Sequence, residues 1–318
     1  MQLTLALPGL NRPSDSSLPA TPALNELLRF GRFVPQPCSV SAFYARYLWR
    51  GSLTAQALAA AGLPDYTPSV LASPLHQRMG INQTHFAAGR GLAVSMGEAR
   101  QWCGELNDFF RADGWRFYPF RPELWLLTLP EQPAWRVPPV LDILGQADGM
   151  ERMEGDADAS WLARQTEIQM WLHGHALNAA RAIPVNGLWL WPDLPGGAGA
   201  DLTATDSEWA LNPATGLIAA PADWAAFEKA AADFGRTVGE GLIFLDDLAA
   251  EDDAGAYRRL LAGWEGRFFA PILRVLQAGR LEKLIIATDG ARGGCLEIKA
   301  KPGRAFWRRR KTFAGFLG

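Results

Sequence analysis

Four short apolar runs, at 2–7, 185–191, 241–245 and 284–287, alternate with stretches that read as helices, and this alternation limits what the chain can become. Parallel neighbours in a sheet need a crossover connection, which is usually a helix. Runs that are apolar at nearly every position also indicate strands buried on both faces. The expected fold is therefore α/β, with a mostly parallel sheet flanked by helices.

Several helices are marked by their ends. Thr21-Pro22 reads as an N-cap followed by the first helical residue, Leu24, Leu27 and Leu28 form one apolar face, and Gly31 is a stop. Residues 39–61 read as mainly helical, closed by Gly62-Leu63-Pro64. Ser95 and Glu98 have the spacing of a capping box for a helix over 95–112. Residues 159–182 read as one helix, and 222–234 and 254–277 as two more. Gly196 to Gly199 reads as a flexible loop, as does 11–20 with Pro13, Asp15 and Ser16.

The stretch 66–154 differs in character, with a strand at 125–129 leading into the proline-rich run Pro130 to Pro139. It is expected to be an inserted, smaller α+β cap subdomain, leaving 1–65 plus 155–318 as the core. Trp189 and Trp191, two of thirteen tryptophans, imply bulky packing around one strand.

A net charge of −2 argues against a general nucleic-acid binder. From Lys299 onward, however, every charged residue is basic, including Arg308, Arg309 and Arg310. Such an end suits either a solvated tail or a patch for an acidic partner, and is the one place where nucleic acid would be held. Cys38, Cys103 and Cys295 are odd in number and widely spaced, which suits reduced thiols better than a disulfide framework or metal site. The N-terminal apolar run lacks a basic flank and a cleavage site, and no stretch reaches the ~20 apolar residues of a membrane span. A soluble, cytoplasmic protein without membrane contact is expected.

Together these pieces resemble the alkaline-phosphatase superfamily, and within it the cofactor-independent phosphoglycerate mutases. The resembling residues are Thr21-Pro22-x-Leu24 through Gly31, Asp142-Ile143 with Gly145, and His175, Asn178 and Arg181 before Val185-Asn186 and Leu188 to Trp191. Leu245-Asp246-Asp247 and Ala287-Thr288-Asp289 follow the order of the family's last metal-binding strands. A nearer resemblance is to a bacterial group of RpfE-type regulatory proteins. It rests on Glu167 to Met170, His173, His175, Asn178, Arg181, Asn186 and the terminal Phe306 to Arg310.

The superfamily resemblance implies a two-cation site fed by carboxylates and imidazoles, with a hydroxyl nucleophile. Here Pro8 stands where an Asp is expected, the final Asp-His pair is Asp289-Gly290, and no histidine follows His175. Asp246, Asp247 and Asp289, with Asp252 and Asp253, remain as residual ligands, and Mg²⁺ is the cation that carboxylates alone would take. An acidic loop and helix start is the simpler explanation of Asp246 to Asp253. Ser39 and Ser41 lie where a nucleophile would fall.

The polar helix suggests a different chemistry. At 100° per residue Glu167, Trp171, His175 and Asn178 share one side, while His173 points elsewhere and forms no zinc pair with His175. His175 reads either as a core histidine held by Glu167, or as part of an anion site with Asn178, Arg181 and Asn186. The expected protein is a non-catalytic regulatory or ligand-binding pseudoenzyme that needs no cofactor and whose partner is a small anion or a protein. The alternative is a divergent Mg²⁺-dependent mutase or phosphomonoesterase.

Overall fold

The computed structural model describes residues 1–12, 18–79, 84–144, 158–197, 199–211, 216–249, 251, 253–302 and 307–318. It has two units, one of Met1–Arg50 with Gly196–Gly318 and one of Gly51–Pro195. The chain opens with β1 (Gln2–Ala6), α1 (Pro22–Phe30), β2 (Arg32–Pro35) and α2 (Val40–Leu48). In the second unit come α3 (Leu53–Ala60), β3 (Ser69–Met79), β4 (Thr84–Ala88), α4 (Met96–Phe109), β5 (Arg116–Arg121) and β6 (Leu124–Thr128). They are followed by α5 (Asp158–His173), α6 (Ala176–Ala179) and β7 (Gly187–Trp191). Back in the first unit lie β8 (Leu202–Ala204), β9 (Gly216–Ile218), α7 (Trp224–Asp233) and β10 (Glu240–Phe244). The chain ends with α8 (Ala254–Trp264), α9 (Ala270–Gln277), β11 (Lys283–Thr288) and β12 (Gly294–Lys299).

The first unit is built on a seven-stranded sheet in the order β2-β12-β11-β1-β10-β8-β9. The run from β11 to β9 is parallel, and β12 and β2 add an antiparallel edge. This is the mostly parallel, helix-flanked α/β sheet that the alternation of apolar runs implied. Leu3, Leu5 and Ala6 of β1, Ile243 and Phe244 of β10, and Leu284, Ile286 and Ala287 of β11 are all buried. At about 25 cal/mol per Å² of apolar surface removed from water, such side chains supply most of the drive to fold.

In α1 the leucine face is buried as its spacing implies, but the cap differs from expectation. Thr21 makes no side-chain cap bond. Instead the Glu265 carboxylate accepts from the N–H groups of Ala23 at 2.6 Å and Leu24 at 3.3 Å. Glu265 begins a π-helical turn, Glu265–Phe269, that joins α8 to α9. A carboxylate against free N–H groups at a helix start also meets the positive end of the helix dipole.

The stretch 39–61 is two helices, with Ser39 and Ser52 each accepting a backbone N–H as N-cap. The division between the units falls there, at 50/51 and again at 195/196. The cap boundaries expected at 66 and 154 are therefore too narrow. Strand β7 explains the difference, because it pairs antiparallel with β3 and belongs to the second sheet. Gly196 and Gly197 are not a flexible loop. A Cβ on either would meet the carbonyl oxygen of Trp49 or Arg46 at 2.2 or 2.1 Å, so only glycine lets the backbone approach this closely.

The second unit is antiparallel, with β3 pairing β4, β6 and β7, and β6 pairing β5. All five residues of β7 are buried. Trp161 of α5 donates to Leu190 O at 2.9 Å and packs edge-on against Trp189, with ring centroids 4.7 Å apart. Gln165 donates to Leu188 O at 2.7 Å. Trp161 and Trp189 thus fill the core, while the Trp161 N–H and the Gln165 amide fasten helix to strand.

Glu265→Ala should remove the acceptor that caps α1. The expected loss is about 1–2 kcal/mol in urea unfolding with an unchanged m-value, and Glu265→Gln should retain part of it.

Candidate functional site

The parallel register of the first unit fixes which strand ends lie level. Ala6 pairs with Phe244 on one side and with Ala287 on the other. Two residues further along each strand come Pro8, Asp246 and Asp289. Ligands of parallel α/β sheets bind outside this carboxyl edge, so these ends are the natural place for a site.

Each of these carboxylates has a local role. Asp289, 8% exposed, accepts the Gly9 N–H at 2.8 Å, which ties the end of β1 to the end of β11. Gly9 has φ +74°, and a Cβ there would meet the Ala249 backbone at 3.0 Å. Asp246 accepts from the Tyr44 hydroxyl at 3.4 Å. Burial, then Asp246 and Asp289, push the Tyr44 phenol well above its ordinary value, so it acts as a donor at any physiological pH. Burial and the neighbouring Asp246 also raise the Asp247 carboxyl, against the pull of Arg267. Asp253 caps α8 through the Ala256 N–H at 2.7 Å, and Asp252 lies outside the described residues. Ser39 caps α2 and shares a 2.9 Å hydrogen bond with Ser41.

Among the described residues no group of three or more His, Cys, Asp or Glu side chains is arranged to hold a metal ion. At the strand ends the carboxylates of Asp289 and Asp246 are each engaged by the protein, with the Gly9 N–H and the Tyr44 hydroxyl. Tyr44, which the sequence reading missed, shares this edge. The aromatic cluster Phe43, Tyr44 and Tyr47 in α2 was its signal.

In the second unit the expected 159–182 helix is broken. α5 stops at His173, Gly174 intervenes, and His175 is the N-cap of the short α6. Glu167 and His175 consequently do not share a helix side. Glu167 pairs with Arg164 at 2.8 Å. His175 Nδ1 accepts from Trp102 Nε1 and from the Leu177 N–H, both at 3.2 Å. With two donors on Nδ1 the ring proton sits on Nε2, which donates to Glu105 at 2.9 Å.

Arg181 completes this latch. Its guanidinium lies over the Trp102 ring, donates to Glu98 and to Leu92 O, and donates through Nε to Ile183 O. Glu98, Trp102 and Glu105 fall on one face of α4, at i, i+4 and i+7. That periodic Glu-Trp-Glu face was the missed signal. The Ser95–Glu98 capping box forms as its spacing implied.

Asn178 bridges Leu172 O and both polar groups of the Val185 backbone. Asn186 exchanges two hydrogen bonds with the Gln77 backbone, so its amide extends the β-ladder beyond β7. The four residues expected to bind an anion are therefore occupied with one another's scaffolding. Asp142 and Ile143 lie at a short 3₁₀ turn, and Gly145 lies outside the described residues.

The basic end is exposed over 307–312 but tied down through Arg308 and the residues that follow it. Arg308 donates to Phe30 O at the end of α1, and its own carbonyl accepts from Arg29. Phe313 and Leu317 are buried. Arg309 and Arg310 remain exposed beside Trp307, and residues 303–306, including Arg304 and Phe306, lie outside the described residues.

No family model matches the chain, and no curated protein does. Among solved structures it is similar to the cofactor-independent phosphoglycerate mutase from Thermoplasma acidophilum DSM 1728. The identity is 15% and the TM-score 0.43, over 99% of this chain and 94% of that one. It is also similar to the PH0037 protein from Pyrococcus horikoshii, at 14% identity and a TM-score of 0.48, over 99% and 91% of the two chains. These neighbours share its outline at low identity, and likeness at that level says nothing of chemistry.

Arg181→Ala should leave Glu98 and Leu92 O without their partner and lower stability by about 3 kcal/mol, read by urea unfolding at neutral pH. A pH series tests the same contact. Burial raises the Glu98 carboxyl, but the Ser95 backbone and hydroxyl donors and Arg181 outweigh it and leave it below its ordinary value of 4.5. Its stabilisation is therefore present above 4.5 and lost as pH falls through the depressed folded value. Glu98→Gln should flatten that acid limb.

Proposed function

We propose that this chain is a non-catalytic regulatory protein of the RpfE type, a bacterial, cytoplasmic pseudoenzyme that acts by binding rather than by turnover. The observation that carries the reading is the Asp289 carboxylate, which accepts the Gly9 N–H across the strand ends where a ligand cage would need it. The Tyr44–Asp246 contact supports it in the same way. The terminal Trp307-Arg308-Arg309-Arg310 and the Glu167-to-Arg181 stretch support the RpfE-type assignment by resemblance.

Among the described residues no helix is long and apolar enough to cross a membrane. With Arg308 tied to α1, the exposed Arg309, Arg310 and Lys311 are the basic residues of the described tail that would meet a partner. That partner is a small anion or an acidic protein surface.

The deciding experiment is turnover of a generic phosphomonoester and of phosphoglycerate with Mg²⁺ or Mn²⁺ added. No rate above background is expected. Asp289→Ala should instead cost about 1–2 kcal/mol of stability, because the part-buried Gly9 N–H loses its acceptor. Robust metal-dependent turnover that disappears in a folded Asp289→Ala variant would overturn the proposal.

A further inference from the structure

A cleft of about 500 Å³ lies in the first unit between the start of α7 and the π-turn and α9. Its volume falls within the ~300–1,000 Å³ range of small-molecule sites. Three arginines line it, Arg267, Arg274 and Arg280, together with Asp223 and Glu228.

The charges do not cancel locally. Glu228 is taken by Arg280, at 3.0 Å. Asp223 is taken by α7 itself, accepting the Ala226 N–H at 2.8 Å as N-cap. Arg267 donates to a backbone carbonyl, Ala222 O, through Nε, contacts the Phe268 ring and acts at longer range on the Asp247 carboxylate. Arg274 is exposed and has no acidic partner among the described residues. Two guanidiniums are therefore left with donors to spare in one concave site.

A second observation points to a ligand independently. Trp224, the first residue of α7, lines the same cleft and is 3% exposed. Its indole Nε1 is buried without a hydrogen-bond partner. Leaving a donor buried and unsatisfied costs about 1–3 kcal/mol, and native structures rarely keep one without a use. The N-terminal end of the ten-residue α7 adds its positive dipole to the arginines.

We propose that Trp224, Arg267 and Arg274 form an anion-binding site for a phosphate-bearing small molecule. An anion offers only acceptors, and the guanidiniums of Arg267 and Arg274 have donors to give it. Donors supplied from two separate elements suit the tetrahedral array of phosphoryl oxygens better than a planar carboxylate, which a single guanidinium fork can satisfy. This site shares no residue with the strand-end edge and stands whether or not that edge turns anything over.

Titration calorimetry with inorganic pyrophosphate on the full chain tests the proposal. One saturable site per chain is expected, weakening with salt. Arg274→Gln should reduce affinity about tenfold and leave the unliganded melting temperature unchanged, since Arg274 has no partner to lose. Trp224→Phe keeps the ring and removes the donor, so it should weaken binding severalfold while raising the unliganded melting temperature. Arg100→Gln, exposed on α4 of the second unit, should bind as the parent does. The proposal is overturned by the absence of saturable binding, by unchanged affinity in Arg274→Gln, or by an equal loss in Arg100→Gln.

Discussion

The first unit depends on the double pairing of β1. Gln2 has Glu240 beside it on one side and Lys283 on the other, so the central strand has no neighbour close in sequence. Pairings of such long range are slow to form and give no stability until the intervening chain is in place. The register that results also sets the carboxyl edge, since it alone brings Pro8, Asp246 and Asp289 level. Asp289 then helps to hold what the register created, by accepting the Gly9 N–H. A carboxylate in that role keeps an acidic look at the strand ends while its lone pairs are directed inward.

Polar side chains play the same part in the second unit. His175, Asn178, Arg181 and Asn186 resemble a recognition surface in sequence, and each closes a gap in backbone hydrogen bonding or braces α4. Breaking α5 at Gly174 leaves its last carbonyls exposed, and Asn178 reaches back to one of them, Leu172 O. Buried polar groups need partners, and a broken helix supplies many that need satisfying. One structural requirement thus accounts for the hydrogen bonds that these polar residues make.

The sequence revealed the parts that obey local rules. β1, β10 and β11 were legible as apolar runs, α1 from its leucine face, and the start of α4 from Ser95 and Glu98. β3 was not, because residues 69–79 contain Pro74 and no sustained alternation, and β8 and β9 are only three residues each. The break at Gly174 was missed because the polar periodicity runs straight through it. Glu105 meeting His175, and Glu265 capping α1, are contacts between distant segments, on which local pattern is silent. The boundary error has the same origin, since β7 looks like any buried strand until its partner β3 is known. Trp224 escaped notice because its meaning lies in a missing bond, which only coordinates reveal.

The chain leaves the first unit and returns to it at one point. Arg50 bridges Gly197, and Ser52 bridges Pro195. Topologically, the whole second unit is one excursion with adjoining ends. When Gly51–Pro195 folds, it draws the two halves of the first unit's chain together and shortens the effective loop between β1 and β10. The insertion thereby acts as a clasp, removing part of the closure entropy that the double pairing of β1 would otherwise face.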